Sequence, residues 1–290
     1  MSDKYQLQNI FQMPLSTNFV TMKRIAILSL LVLSLNNLFA QDAITASSPY
    51  KFKTAKYNWY LSWGYNLDWY TKSDIHFSDS RREGHYDFVI NDAKAEDRPG
   101  IRDIFSTDLA IPQYSFRIGF FGGAKRDWGF EFNYDHAKYV MTNGQSVNMK
   151  GKFFGRELDT TIVVGKPFLA FEHTNGANFA MFMATKRKNI LHNANGNHWL
   201  SLIGRAGGGF VFPRTDCTIN GVRRDDQFHV AGYIIGVDGG IRYDFHHRIF
   251  FENEAKFSFV NYTSALLPYQ GRAHHHFWAF EYIFTLGYNF

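Results

Sequence analysis

Residues Phe277 to Phe290, FWAFEYIFTLGYNF, constrain this chain more than any other stretch. Read with a period of two, Trp278, Phe280, Tyr282, Phe284, Leu286, Tyr288 and Phe290 share one face, and Ala279, Glu281, Ile283, Thr285, Gly287 and Asn289 share the other. Successive side chains of a strand point to opposite sides, so one face is aromatic and the other is mostly small or polar. A soluble sandwich would turn the aromatic face inward. A run this aromatic that ends on Phe290 with no polar tail also suits a barrel wall facing lipid. Between Asn58 and Tyr70 the alternation recurs, with Trp59, Leu61, Trp63, Tyr65, Leu67 and Trp69 on one face. Three tryptophans on one side of one strand suit a lipid-facing surface with interfacial belts.

Composition decides how such a chain could cross a membrane. Aromatic residues make up 18% of the 290 residues, yet the mean hydropathy is −0.28, so apolar residues are interleaved with polar ones rather than gathered in blocks. Outside the N-terminal region no apolar run reaches the roughly 18 to 20 residues of a spanning helix. Crossing would therefore be by strands. Met22-Lys23-Arg24, the apolar run Ile25 to Leu35 and the polar stretch Asn36 to Ala40 read as a signal peptide over 22–40, with a mature start at Gln41. Residues 1–21 read as a surplus leader and 41–56 as a periplasmic spacer. Cys217 is the only cysteine, so neither an intrachain disulfide nor a lipid-anchored cysteine after the signal is available. The net charge of +5 is too mild to point to nucleic acid, although exported basic loops suit anionic lipopolysaccharide.

The alternation predicts strands near 58–70, 114–121, 128–141, 168–184, 199–212, 230–245, 251–262 and 277–290. Short turns are expected at 122–127, 187–197 and 246–248, and long polar loops at 71–112, 142–161, 213–227 and 263–273, with a possible hairpin through Tyr86 to Ile90. The aromatic last strand resembles the C-terminal signal strand of bacterial outer-membrane β-barrels, and the rhythm of short and long connections resembles the small barrels of that kind over 57–290. The resemblance implies an all-β, transmembrane, up-and-down antiparallel barrel of about eight strands, with short periplasmic turns and long external loops. It implies a monomer in the outer membrane of a Gram-negative bacterium, in contact with lipid and lipopolysaccharide. Tyr288 and Phe290 would be read by the barrel-assembly machinery.

The inward parity collects Asp68, Arg117, Glu131, Asp135, Glu172, Arg205, Asp238, Arg242, Glu252, Glu254, Lys256 and Glu281. Charges confined in so narrow a lumen must pair, because an isolated buried ion costs several kcal/mol, and eight strands enclose little more than side chains. A plugged barrel with an envelope-structural or surface-interaction role is therefore expected. The alternatives are a lipid A acyl hydrolase or transferase and an uptake channel for small hydrophobic ligands. His173 falls on the lipid-facing parity beside Glu172, and lipid A deacylase barrels carry a serine two residues after such a histidine. Asn175 stands there instead, and Thr174 points the other way. Ser73, Asp74 and His76 have the residue types of lipid A palmitoyltransferase barrels in a different arrangement. Adjacent residues of a strand diverge, so at most two of His274, His275 and His276 could share a metal ion. Neither a metal nor a cofactor is expected.

Overall fold

A computed structural model describes residues 59–79, 81, 85–100, 112–123, 126–193, 196–246 and 248–290. The expected leader, signal peptide and spacer lie outside the described residues. In chain order the strands are β1 (Trp59–Tyr70), β2 (Ser73–Ser78), β3 (Tyr86–Ala93), β4 (Ala95–Asp97), β5 (Tyr114–Gly122) and β6 (Trp128–His136). There follow β7 (Tyr139–Met141), β8 (Ser146–Phe153), β9 (Arg156–Val163), β10 (Leu169–His173), β11 (Phe179–His192) and β12 (His198–Val211). The last are β13 (Asp216–Ile219), β14 (Val222–Arg224), β15 (Gly232–Phe245), β16 (Ile249–Leu266) and β17 (Arg272–Asn289).

Eight of these strands pair in the order β1-β5-β6-β11-β12-β15-β16-β17, and β17 returns to pair with β1, so the sheet closes. All of these pairs are antiparallel. The closing seam is long, running from Tyr60 opposite Asn289 to Tyr70 opposite Ala279. Trp59 and Phe290 extend it with reciprocal backbone hydrogen bonds of 3.2 and 2.8 Å. Closure removes the two edges that would otherwise hold unpaired backbone groups.

Period-two alternation sorts the wall as the sequence anticipated. On β1, Trp59, Leu61, Trp63 and Trp69 are exposed while Tyr60, Ser62, Asn66 and Asp68 are buried. On β17, Trp278, Phe280, Phe284 and Leu286 are exposed while Ala279, Glu281, Ile283 and Thr285 are buried. The exposed face holds an upper group of aromatics at Trp69, Trp278 and Tyr233 and a lower group at Trp59, Trp128, Tyr288 and Phe290. Two glycines make the narrow bore possible. Gly119 lies opposite Tyr60 and Gly287 opposite Phe250, and a methyl group on either would sit within about 2.2 Å of the facing ring.

The stretches expected to be loops are largely strands. The 71–112 stretch supplies β2, β3 and β4, 142–161 supplies β8 and most of β9, and 213–227 supplies β13 and β14. Strands β2, β3, β8 and β9 continue the barrel sheet outward from the upper part of β17, where His76 pairs with His274. A second sheet, β14-β13-β10-β7-β4, packs across this extension and the barrel mouth. Phe77, Phe88 and Met149 of the extension join Phe171, Cys217 and Tyr139 of the second sheet and Met183, Ile234 and Ala279 of the upper barrel in one apolar cluster.

The fourth barrel strand also differs from expectation. The segment 168–184 is not one strand, because a turn at Gly176 (φ 115°) and Asn178 (φ 46°) separates β10 from β11 and places them in different sheets. The break reverses the expected parity, so Phe179, Met181 and Met183 point inward and Phe182 points out. Lys186-Arg187-Lys188, expected in a turn, continues β11 as partners of Gly204, Ile203 and Leu202. Lys186 remains solvated there by lying over Trp128 (4.4 Å to the ring centroid) and reaching Asp127 at 2.5 Å.

Candidate functional site

The barrel interior is the densest concentration of ionisable groups in the described residues. Arg205 sits at its centre. Its Nε lies 2.8 Å from Glu131 Oε1, its Nη2 donates to Glu252 Oε1 at 2.5 Å, and its Nη1 donates to Asp238 Oδ1 at 3.3 Å. Arg117 donates to Asp135 at 2.6 Å and to Glu254 at 3.3 Å, and Lys256 bridges Asp135 at 2.5 Å and Glu281 at 3.1 Å. Each of these cations meets at least two carboxylates, the arrangement that offsets desolvation in a confined space. Asp68 accepts from Asn66, Gln113 and Tyr70 rather than from a cation.

Below this network the interior is aromatic. Tyr60, Phe121, Ile203 and Phe250 form a small buried cluster. Arg242 lies 3.4 Å from the Phe250 ring centroid and pairs with Asp244 at 3.1 Å, while Arg187 lies 4.3 Å from that of Phe121. These are cation–π contacts in which each guanidinium meets an aromatic face. Tyr60 ties the cluster to the ion pairs by donating to Glu131 at 2.5 Å. Above the network, the external sheet completes the apolar cluster over the mouth.

Of the residues expected on the lumen parity, Asp68, Arg117, Glu131, Asp135, Arg205, Asp238, Arg242, Glu252, Glu254, Lys256 and Glu281 are buried inside the barrel. Glu172 is not. It lies on β10 in the external sheet and pairs with Arg98 at 3.4 Å, because the turn at Gly176 detaches β10 from the wall. Arg187 and Asp244 were missed as interior groups, whereas Tyr60 lies on the inner face to which its alternation with Trp59 and Leu61 assigns it. Asp244 shares a parity with Asp238 and Arg242, already assigned inward, so the signal was present. Arg187 was hidden by the basic run that read as a turn.

The expected catalytic candidates do not converge. His173 is wholly buried, not lipid-facing, and its ring nitrogens have no hydrogen-bond partner. Ser73 points inward, 3.1 Å from the Tyr139 hydroxyl, whereas Asp74 accepts from the Asp92 amide and His76 contacts Asp87 at 2.6 Å. Alternation along β2 turns Ser73 away from Asp74 and His76. Ser78 stands opposite Asp87 but donates to the Arg272 carbonyl at 3.5 Å. A serine–histidine contact unseen in the sequence joins Ser264 Oγ and His229 Nε2 at 3.1 Å. Burial, Arg272 and Arg224 hold that imidazole below its ordinary pKa, and no carboxylate acts on it. The pair therefore lacks the anion that stabilises an imidazolium in a triad. Alternation divides His274 and His276, outside, from His275, inside. Among the described residues no group of three or more His, Cys, Asp or Glu side chains is arranged to hold a metal ion.

A closed sheet of eight antiparallel strands, apolar outside and charged inside, defines a small up-and-down barrel of the bacterial outer-membrane kind. The attachment invasion locus protein Ail of Yersinia pestis is similar over 81% of this chain and 99% of its own, with 9% identity and a TM-score of 0.31. Neisserial surface protein A is similar over 80% and 97%, with 10% identity and a TM-score of 0.31. The outer membrane protein OprG from Pseudomonas aeruginosa is similar over 81% and 96%, with 12% identity and a TM-score of 0.34. No protein-family model and no curated sequence matches the chain. The strand order and the sorting of the two faces, rather than these likenesses, carry the assignment.

Proposed function

We propose that this protein is an integral barrel of a bacterial outer membrane, exported through the signal at 22–40, with an envelope-structural or surface-interaction role exercised through its external sheets. One observation carries the reading. The lipid-facing wall encloses an interior occupied at three successive levels, by the Tyr60–Phe250 aromatic cluster, by the Arg117–Arg205–Lys256 ion pairs and by the apolar cap. A conduit needs a continuous hydrated path, and a lateral gate needs an unpaired seam. Every neighbouring pair of barrel strands is hydrogen-bonded, and the depression of about 270 Å³ between Trp59, Phe130 and Phe182 lies on the outer wall. Lipid and lipopolysaccharide are the partners this reading names, with the assembly machinery acting on β17 during insertion.

The test is fractionation followed by electrical recording of the purified protein in planar bilayers. The protein is expected with outer-membrane markers and without stable unitary conductance steps. Reproducible steps would replace the plugged barrel with a channel. Deleting Phe290 should slow insertion while leaving synthesis and export intact, because it removes the reciprocal backbone pair with Trp59 that ends the seam. The measurement is the fraction of protein showing the folded, heat-sensitive gel mobility. An undiminished folded fraction would show that the seam closes without Phe290.

A further inference from the structure

The external sheet meets the barrel through an aromatic box holding two histidines. His173 comes from β10 of the second sheet, and His275 from the part of β17 that rises above Trp278. Both rings are buried, and none of their four nitrogens has a hydrogen-bond partner. Tyr262 of β16 stacks on both, with centroid separations of 4.8 Å to His173 and 5.0 Å to His275. Phe171 and Tyr139 complete the box from the sheet side, and Phe277 from the wall.

A buried imidazole without a partner is tolerable only when neutral, since a charge there would have neither water nor a counter-ion. We propose that the second sheet is an acid-sensitive lid: protonation of His173 or His275 releases β10 and β7 from the barrel mouth while the barrel below stays closed.

The surroundings supply nothing that would hold an imidazolium. Tyr139 of β7 and Tyr262 of β16 are the titratable groups facing the pair. The Tyr262 hydroxyl donates to the Ala177 carbonyl, and the Tyr139 hydroxyl lies beside Ser73 of β2. On β10 the neighbouring Glu172 turns to the opposite side and pairs with Arg98. On β13, Cys217 stands opposite Phe171 and Asp216 pairs with Arg223 at the sheet surface. On β1 the Tyr70 hydroxyl donates to the Lys138 carbonyl of the lid. Burial alone pushes His173 down from 6.5 to about 3. Burial first, and then His173, His276 and His274, hold His275 well below its ordinary value.

The sign follows from these depressed values. Above pH 6.5 both rings are neutral whether the lid is closed or open, so the closed state keeps its full stability. As the pH falls below 6.5, the open state takes up protons that the closed state refuses, and closure weakens until the folded pKa is reached. From pH 7.5 to 5.0 the open fraction should rise about 30-fold through His173 alone, and further through His275.

The chain carries its own reporter. Cys217 is its only cysteine, is wholly buried, and shares the face of Phe171 in the lid. The experiment uses the full-length protein folded in detergent micelles. The rate of Cys217 reaction with 4,4′-dithiodipyridine is divided at each pH by that of the urea-unfolded protein, which removes the intrinsic thiol titration. The normalised rate is expected to rise at least 30-fold between pH 7.5 and 5.0 with the heat-sensitive gel form intact. His173→Phe and His275→Phe, which fill the box without a titratable ring, should each reduce the response, and the double variant should abolish it. His274→Ala and His276→Ala, on the outer face, should preserve it. A flat profile in the unaltered protein, which needs no variant to fold, overturns the proposal. So does a response that survives the double substitution, or loss of the folded gel form at the same pH, since the event would then be global unfolding.

Discussion

Arg205→Met is expected to lower the stability of the folded barrel by about 3–5 kcal/mol, the usual cost of removing one partner from a buried ion pair. The guanidinium contacts Glu131, Glu252 and Asp238 within 3.3 Å, and a thioether of similar length leaves all three without their shared cation. The loss is a stranded-charge effect rather than a packing defect. Adding Glu131→Gln and Glu252→Gln to Arg205→Met should therefore recover part of it, because neutral amides cost less to bury than unpaired carboxylates. The measurement is urea unfolding of the protein in lipid vesicles, read by gel mobility. A single substitution with no effect on the midpoint would mean that water reaches Arg205 and that the ion pairs do not close the interior.

Phe284→Arg should destabilise by about 2–4 kcal/mol in a bilayer, the range for a cation near the middle of the lipid-facing band of a barrel. Phe284 is 44% exposed and lies between the upper aromatics at Trp278 and the lower ones at Tyr288 and Phe290. Phe284→Leu keeps the face apolar and should change stability far less. The comparison is made by unfolding both variants in vesicles. If the arginine were as well tolerated as the leucine, the exposed aromatic face would not meet lipid, and a soluble barrel would be the better account.

The wall of the barrel was legible in the sequence because its two environments differ so sharply. Trp59, Leu61 and Trp63 alternate with Tyr60, Ser62 and Gly64, and Phe280, Phe284 and Leu286 alternate with Glu281, Thr285 and Gly287. A face that meets lipid and a face that meets a narrow polar lumen leave a strong period of two. The external strands lack that contrast. On β9 the side chains of Arg156, Glu157, Asp159, Thr160 and Thr161 are all exposed, so a strand there reads like a loop. Ile75 and Phe77 of β2 and Phe88 and Ile90 of β3 do alternate, and the hairpin expected through Tyr86 to Ile90 is there as the β2–β3 pair.

What the sequence determined by itself is the antiparallel wall and most of its inward charges, since these depend on local alternation and on connection length. What only the tertiary structure decided is the pairing of those charges, the cap and the place of His173. Segment 168–184 shows why. Its apolar residues continue without interruption, and a turn at Gly176 and Asn178 moves one half into the lid and the other into the wall with opposite parity. His173 thus leaves the lipid face for a buried box built with Tyr262 and His275, residues about ninety to one hundred positions away. Burial of that kind depends on which sheets stack, and alternation along one strand cannot express it.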